Sequence, residues 1–207
     1  DPEHISLDGF TEELKTHVET ILSGIRRLIA SADDGRRLRE GIRTVILGKP
    51  NAGKSSLLNA LVGADRAIVT DIAGTTRDTL DEHINLKGVS LTIVDTAGIR
   101  ATEDTVEKIG VERALKAASD ADLLIYVVDA SVPLDASDEQ IIGELGERKC
   151  IVLMNKSDLQ AVISEEELEK KTGRPVLSIS AKQETGMDLL EEKIRAMFFH
   201  EELRFND

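Results

Sequence analysis

Gly48-Lys49-Pro50-Asn51-Ala52-Gly53-Lys54-Ser55 follows the apolar run Ile42-Arg43-Thr44-Val45-Ile46-Leu47 and precedes Ser56-Leu57-Leu58-Asn59-Ala60-Leu61, a segment of helical composition. The eight residues fit G-x-x-x-x-G-K-[ST] in the strand–loop–helix setting where that pattern cradles a polyphosphate. Glycines let backbone N–H groups curl around phosphate oxygens, and the helix N-terminus adds favourable partial charge. Lys54 is placed to reach the outer phosphates, and the Ser55 hydroxyl to bind the accompanying magnesium ion. Asn51, Ala52, Gly53, Lys54, Ser55 and Ser56 are thus the candidate phosphate contacts. The alternative, an ordinary glycine-containing turn between a strand and a helix, does not need the full match. A nucleoside triphosphate is the expected ligand.

Composition narrows the partners. Aromatic residues are 2% of the 207-residue chain and tryptophan is absent, which argues against a stacking surface for single-stranded nucleic acid. The formal net charge of −13 argues against a broad electrostatic grip on nucleic acid or an anionic membrane. The lone Cys150 lies in an apolar run and reads as a small core residue rather than a reactive thiol. His4, His17, His83 and His200 show no metal-ligand spacing. No apolar run reaches membrane-spanning length and no signal peptide is visible, so a cytoplasmic protein without membrane attachment is expected.

Residues 1–40 differ in pattern from the rest of the chain. Leu14, Val18, Ile21, Ile25, Leu28 and Ile29 recur at helical spacing, with Thr11 as a candidate start and Ser31 to Gly35 as a stop. This helical segment either covers the adjoining domain or belongs to a helical domain lying mostly outside the chain, and the second is expected. From residue 41 to 200 strands alternate with helices, and 201–207 read as a tail. Expected strands are 42–47, 80–87, 89–94, 122–128, 149–154 and 175–179; expected helices are 54–62, 105–118, 137–146, 164–172 and 187–199. The second and third strands, separated by little more than Gly88, should form a hairpin. Apolar runs such as Leu123-Leu124-Ile125-Tyr126-Val127-Val128 suit strands buried on both faces of a parallel sheet. The expected fold is a three-layer α/β domain with a mostly parallel six-stranded sheet and its ligand at the carboxyl ends of the strands.

Further elements stand at strand ends. Asp95-Thr96-Ala97-Gly98 follows Leu91–Val94: Asp95 is placed to hold magnesium through water, and Gly98 lets backbone approach the terminal phosphate. Asn155-Lys156-Ser157-Asp158 matches N-K-x-D. Asp158 can accept from two guanine N–H groups that adenine lacks, so the wrong base leaves it unpaired. Asn155 can orient the loop and meet the other base edge, and the Lys156 stem can lie over the ring. Ser180-Ala181-Lys182 matches the loop that gives a backbone N–H to the guanine oxygen. Each piece alone is weak; together, in order and each at a strand end, they point to GTP. Gly74-Thr75-Thr76-Arg77-Asp78 occupies the position of a switch that orders over the γ-phosphate and magnesium through a threonine.

Arg39-Glu40-Gly41, the phosphate loop through Asn59, Ala67-Ile68-Val69-Thr70-Asp71-Ile72-Ala73-Gly74-Thr75-Thr76-Arg77-Asp78 and Val106-Glu107-Lys108-Ile109-Gly110-Val111-Glu112-Arg113-Ala114 together resemble the MnmE (TrmE) family. These are bacterial and organellar GTPases of tRNA wobble-uridine modification, with a Ras-like P-loop G domain. The resemblance covers residues 36–199 well, and 1–35 resemble the start of the family's helical domain. It implies Thr76, rather than Thr75, as the switch threonine on magnesium beside Ser55 and Asp95. It also implies that the family's folate-binding domain and C-terminal cysteine motif lie outside the chain, together with the surfaces for tRNA and for an FAD-dependent modification partner.

Small GTPases often place a water-orienting glutamine where this chain has Ile99, which cannot hydrogen-bond. The resemblance implies Glu107 in that role through an intervening water; read alone, Glu107 is an ordinary first-turn carboxylate of a helix. Arg77 and Arg100 are the nearby arginines and read as solvated loop residues. The resemblance implies instead a potassium ion held by Asn51 with Thr70, Ile72 and Thr75 of the switch loop, and homodimerisation of G domains across their nucleotide faces. Lys54, Thr76 and Glu107 are then the catalytic candidates. Two rivals remain: the tandem-domain ribosome-assembly GTPases, which need a second phosphate loop, and a binding-only switch module, which Ile99 keeps open.

Overall fold

The computed structural model describes residues 14–26, 36, 40–64, 81–94, 96 and 118–199. The chain divides into two compact units, residues 1–40 and 41–207. In the first, helix α1 covers 14–26 and all its side chains are exposed, Leu14, Val18, Ile21, Leu22 and Ile25 among them.

In the second unit the described elements are β1 (Ile42–Leu47), α2 (Lys54–Ala64), β2 (Glu82–Leu86), β3 (Val89–Ile93), a 3-10 turn (Ala118–Asp120), β4 (Leu123–Asp129), α3 (Ala136–Glu144), β5 (Cys150–Asn155), α4 (Glu165–Thr172), β6 (Val176–Ser178) and α5 (Met187–Phe198). The strands form one six-stranded sheet in the order β2-β3-β1-β4-β5-β6. β1 pairs in parallel with both β3 and β4, and β5 continues the parallel run to β6. β2 alone runs antiparallel, in the expected hairpin with β3; at its turn Asn85 Oδ1 accepts the Gly88 N–H at 2.7 Å.

β4 shows why the central strands carry long apolar runs. All seven of its residues are buried. Leu123, Ile125 and Val127 face a core shared with Leu57, Leu58 and Leu61 of α2 and Leu190 and Ile194 of α5. Leu124, Tyr126 and Val128 face the opposite core with Ile141 of α3 and Leu168 of α4. Alternate side chains thus serve two helix layers, which leaves no strand face for water. Cys150 belongs to the second core, 2% exposed, and burial pushes its thiol up to about 11, as a packing residue requires.

Helix ends obey local chemistry. Asp135 caps α3, accepting the Ser137 and Asp138 N–H groups, while Asp138 returns a bond to the Asp135 N–H in a capping box. Ser164 caps α4, three glutamates fill its first turn, and Gly173 closes it in the left-handed conformation. At the end of α5, Lys149 Nζ donates to the Met197 carbonyl at 2.8 Å and sits 4.2 Å from the Phe198 ring centre. Most expected boundaries shift by one or two residues; α2 runs on to Ala64, and of the expected helix 105–118 only Ala118 is described, in the 3-10 turn.

Because Ile125 is completely buried between layers, Ile125→Ala should lower unfolding free energy by about 2–5 kcal/mol. Urea unfolding checks this: a midpoint shift with an unchanged slope is expected.

Candidate functional site

Strand order reverses beside β1, whose neighbours β3 and β4 lead to opposite edges of the sheet. A crevice opens at the carboxyl ends of strands at such a point. The loops after β1, β4, β5 and β6 meet there.

The phosphate loop is shaped by close approaches. Gly48 has φ +148° and a Cβ there would strike the Val127 carbonyl oxygen; Gly53 has φ +99° and a Cβ would strike the Asn155 side-chain nitrogen. Both positions therefore require glycine for space as well as for backbone conformation. Asn51, exposed at the tip, has φ +61°, a left-handed conformation asparagine tolerates. Lys54 opens α2 and turns its Nζ back onto the Gly48 and Lys49 carbonyls at 2.8 and 2.7 Å. Burial lowers its pKa to about 8.

Asn155 joins this loop to the others. It ends β5, is 2% exposed, donates from Nδ2 to the Ala52 carbonyl at 2.8 Å and accepts the Ala181 N–H on Oδ1 at 2.9 Å. The sequence gives Asn155 two roles, orienting the loop and meeting a base edge, and the two bonds show the first. The structure gives its amide oxygen and one amide hydrogen to the protein.

Lys156 comes next with φ +65°, and its ammonium is ion-paired with Asp129 at the end of β4. Asp129 also accepts the Ser131 N–H and hydroxyl at 2.9 and 2.6 Å. Burial works against its charge, but the bonds from Lys156 and Ser131 outweigh this and hold the carboxyl below the usual carboxylate range. Asp158 accepts the Ser180 hydroxyl at 2.6 Å, the chief cause of its lowered pKa, and stays an anionic acceptor on the surface of the pocket. The same Ser180 oxygen accepts the Gln183 N–H at 3.2 Å, and Ser180 pairs with Thr185 across the short loop. Ser180 and Ala181 are buried while Lys182 is exposed.

A cavity of about 260 Å³ lies between these pieces, lined by Gly53, Ser56, Asn155, Lys156, Asp158, Leu159 and Lys182. Phosphate-loop and base-loop residues named from separate motifs thus share one hollow. Thr70, Ile72, Thr75, Thr76, Arg77, Asp95, Gly98, Ile99, Arg100 and Glu107 lie outside the described residues. The sequence reading passed over Asp129, Ser131 and Leu159. A carboxylate closing an all-apolar strand, the same cue that singled out Asp95, also marks Asp129.

A phosphate loop, an N-K-x-D loop and a third loop bonded through one buried asparagine, on this sheet, define a P-loop GTPase domain. The profile of the family described as "50S ribosome-binding GTPase" matches residues 43–156. The chain belongs to this family of GTPases, proteins that bind and hydrolyse GTP. Within it, the chain is 55% identical over its whole length to the tRNA modification GTPase MnmE of Lachnoclostridium phytofermentans, and 46% identical to that of Clostridioides difficile. The chain spans 45% and 44% of those relatives' lengths. Among solved structures, the G domain of the T. maritima FeoB iron transporter matches with TM-score 0.55 and 28% identity, covering 77% of this chain and 99% of that one. Era in complex with MgGDPNP and nucleotides 1506–1542 of 16S ribosomal RNA matches with TM-score 0.56 and 29% identity, covering 74% of this chain and 55% of that one. No helix among the described residues is long and apolar enough to cross a membrane.

With burial holding its pKa at about 8, Lys54 should take up a proton when phosphates bind, since an opposite charge favours the protonated form. Calorimetric titration of GDP at pH 8, in two buffers of different ionisation enthalpy, should show net proton uptake on binding. Lys54→Met should abolish that uptake.

Proposed function

We propose that the domain binds GTP through the residues just described and hydrolyses it to GDP and phosphate as the GTPase module of a tRNA wobble-uridine modification protein. The observation that carries this reading is the Asn155 bridge, which ties the phosphate loop and the loop of Ala181 to the segment of Lys156 and Asp158 around one hollow. The tRNA modification assignment rests on the MnmE relatives.

In this reading the Asp158 carboxylate accepts the guanine ring N–H and its exocyclic amine, and the Lys156 stem covers one face of the ring. Backbone N–H groups near Ala181 meet the guanine oxygen. Lys54 leaves the Gly48 and Lys49 carbonyls for the outer phosphate oxygens, helped by the N–H groups of residues 51–56. Ser55, the second residue of α2 and next to Lys54, offers a hydroxyl, a hard oxygen ligand suited to magnesium. Thr76 and, through water, Asp95 complete that set, with Gly98 and Thr75 at the terminal phosphate. Bound magnesium would neutralise charge on the phosphoryl oxygens.

Hydrolysis also needs positive charge at the transferred group and an oriented water. Asn51 offers an amide oxygen at the exposed loop tip, a donor suited to potassium, and the family resemblance implies Thr70, Ile72 and Thr75 as the further ligands. Glu107 orients the water where Ile99 cannot. Two G domains facing each other across their nucleotides would close the site, so the cation and dimerisation act together. In the full-length protein, tRNA and an FAD-dependent partner are engaged by other segments.

Two experiments test this. Asp158→Asn should weaken GDP binding at least about 100-fold, because the asparagine amide opposes a guanine donor. Xanthosine diphosphate, which presents an oxygen there, should bind better; equal GDP affinity in the variant would remove Asp158 from the base site. GTP turnover in potassium against sodium, at several protein concentrations, tests the rest. Stimulation by potassium that rises with concentration is expected and should vanish in Glu107→Ala with GTP affinity retained. A rate indifferent to cation and concentration would demote Asn51 and Glu107 together.

A further inference from the structure

Lys49, the second residue of the phosphate loop, points away from the hollow. Its Nζ lies 2.6 Å from Asp138 Oδ2 and 2.9 Å from Asp135 Oδ2. Asp138 is 1% exposed, on the first turn of α3. Its other oxygen accepts the hydroxyl of Tyr126, the chain's single tyrosine, at 2.8 Å. Asp138 Oδ2 also accepts the Asp135 N–H at 3.0 Å. A buried carboxylate with all these partners is costly to form and strongly coupled to its cation. Burial alone would depress the Lys49 pKa; the bonds to Asp138 and Asp135 outweigh it and raise the pKa above the usual lysine value.

The backbone of Lys49 connects this anchor to the site. Its carbonyl accepts Lys54 Nζ at 2.7 Å and the Ala52 N–H at 3.3 Å. Strand register adds to the constraint, because Tyr126 pairs with Leu47, two residues before Lys49. The loop is therefore held at both ends of its curl, by Asp138 through Lys49 and by Asn155 through Ala52.

We propose that Asp138 is a positioning residue for nucleotide binding, which acts through Lys49 to fix the phosphate loop in the conformation that receives a diphosphate. This rests on the guanine-nucleotide reading of the same site. Lys49 then serves as a tether, and its charge is spent on Asp138 rather than on phosphate.

The sign of two substitutions separates a tether from a field effect. If only charge mattered, Asp138→Asn would remove a negative charge and slow GDP release, while Lys49→Met would remove a positive charge and speed it. A tether predicts that both speed release, each by roughly tenfold, the scale expected when a binding group is misplaced. The double variant should release GDP no faster than either single one, and Lys49→Arg should stay near the unsubstituted rate. The measurement is displacement of a fluorescent GDP analogue from the folded chain, with unfolding midpoints taken in parallel. A merely structural Asp138 would shift the midpoint and leave the release rate of the folded chain unchanged. Opposite signs, additive effects or unchanged rates would each overturn the proposal while leaving guanine binding intact. Failure of the unsubstituted chain to bind GDP would overturn both readings.

Discussion

The two bonds of the Asn155 side chain are the constraint on which the site depends. Asn155 lies at the end of a fully buried strand, and its amide spans from the Ala52 carbonyl to the Ala181 N–H. Neither of those groups belongs to its own loop. Without the bridge, the phosphate loop after β1 and the short loop after β6 would be surface turns separated by two strands of the sheet. With it, an atom shift in one is felt by the other, since interiors this tightly packed transmit displacement. The close approach of Gly53 to the same amide shows how little slack remains.

The sheet makes the bridge possible. Parallel pairing of β4 and β5 sets Asp129 opposite Asn155, so that Lys156, one residue on, meets a carboxylate across the strand ends. The pairing of β1 with β4 sets Leu47 opposite Tyr126 and brings the loop start to α3. Register, buried by two apolar layers, thus fixes which polar groups meet. The charged pairs, Lys156 with Asp129 across two strand ends and Lys49 with Asp138 on α3, place the backbone as much as they stabilise it, because the cost of desolvating the charges offsets much of their attraction.

Much of this was legible in the sequence, for identifiable reasons. The phosphate loop and the N-K-x-D loop are contiguous, so their residues carry their own spacing. The continuous apolar strands reported burial on both faces, and the short Gly88 connection reported the hairpin. Asp129, Ser131 and the Lys49–Asp138 anchor were missed because their meaning depends on pairing between distant segments. Asp138 in particular reads locally as a helix-capping residue, which it also is. The role of Asn155 was half legible: the motif named it, while only the fold revealed that its amide is bonded to protein on both sides.

Amide hydrogen exchange of Asn155→Ala, compared with the unsubstituted chain under conditions where both are folded, tests the bridge directly. Removing the side chain leaves the Ala52 carbonyl and the Ala181 N–H without their partner, at about 1–3 kcal/mol for each group left unsatisfied. Faster exchange is expected in both loops at once, residues 52–55 as well as 181–183. Faster exchange confined to Ala181 and its neighbours, with the phosphate loop unchanged, would contradict that expectation.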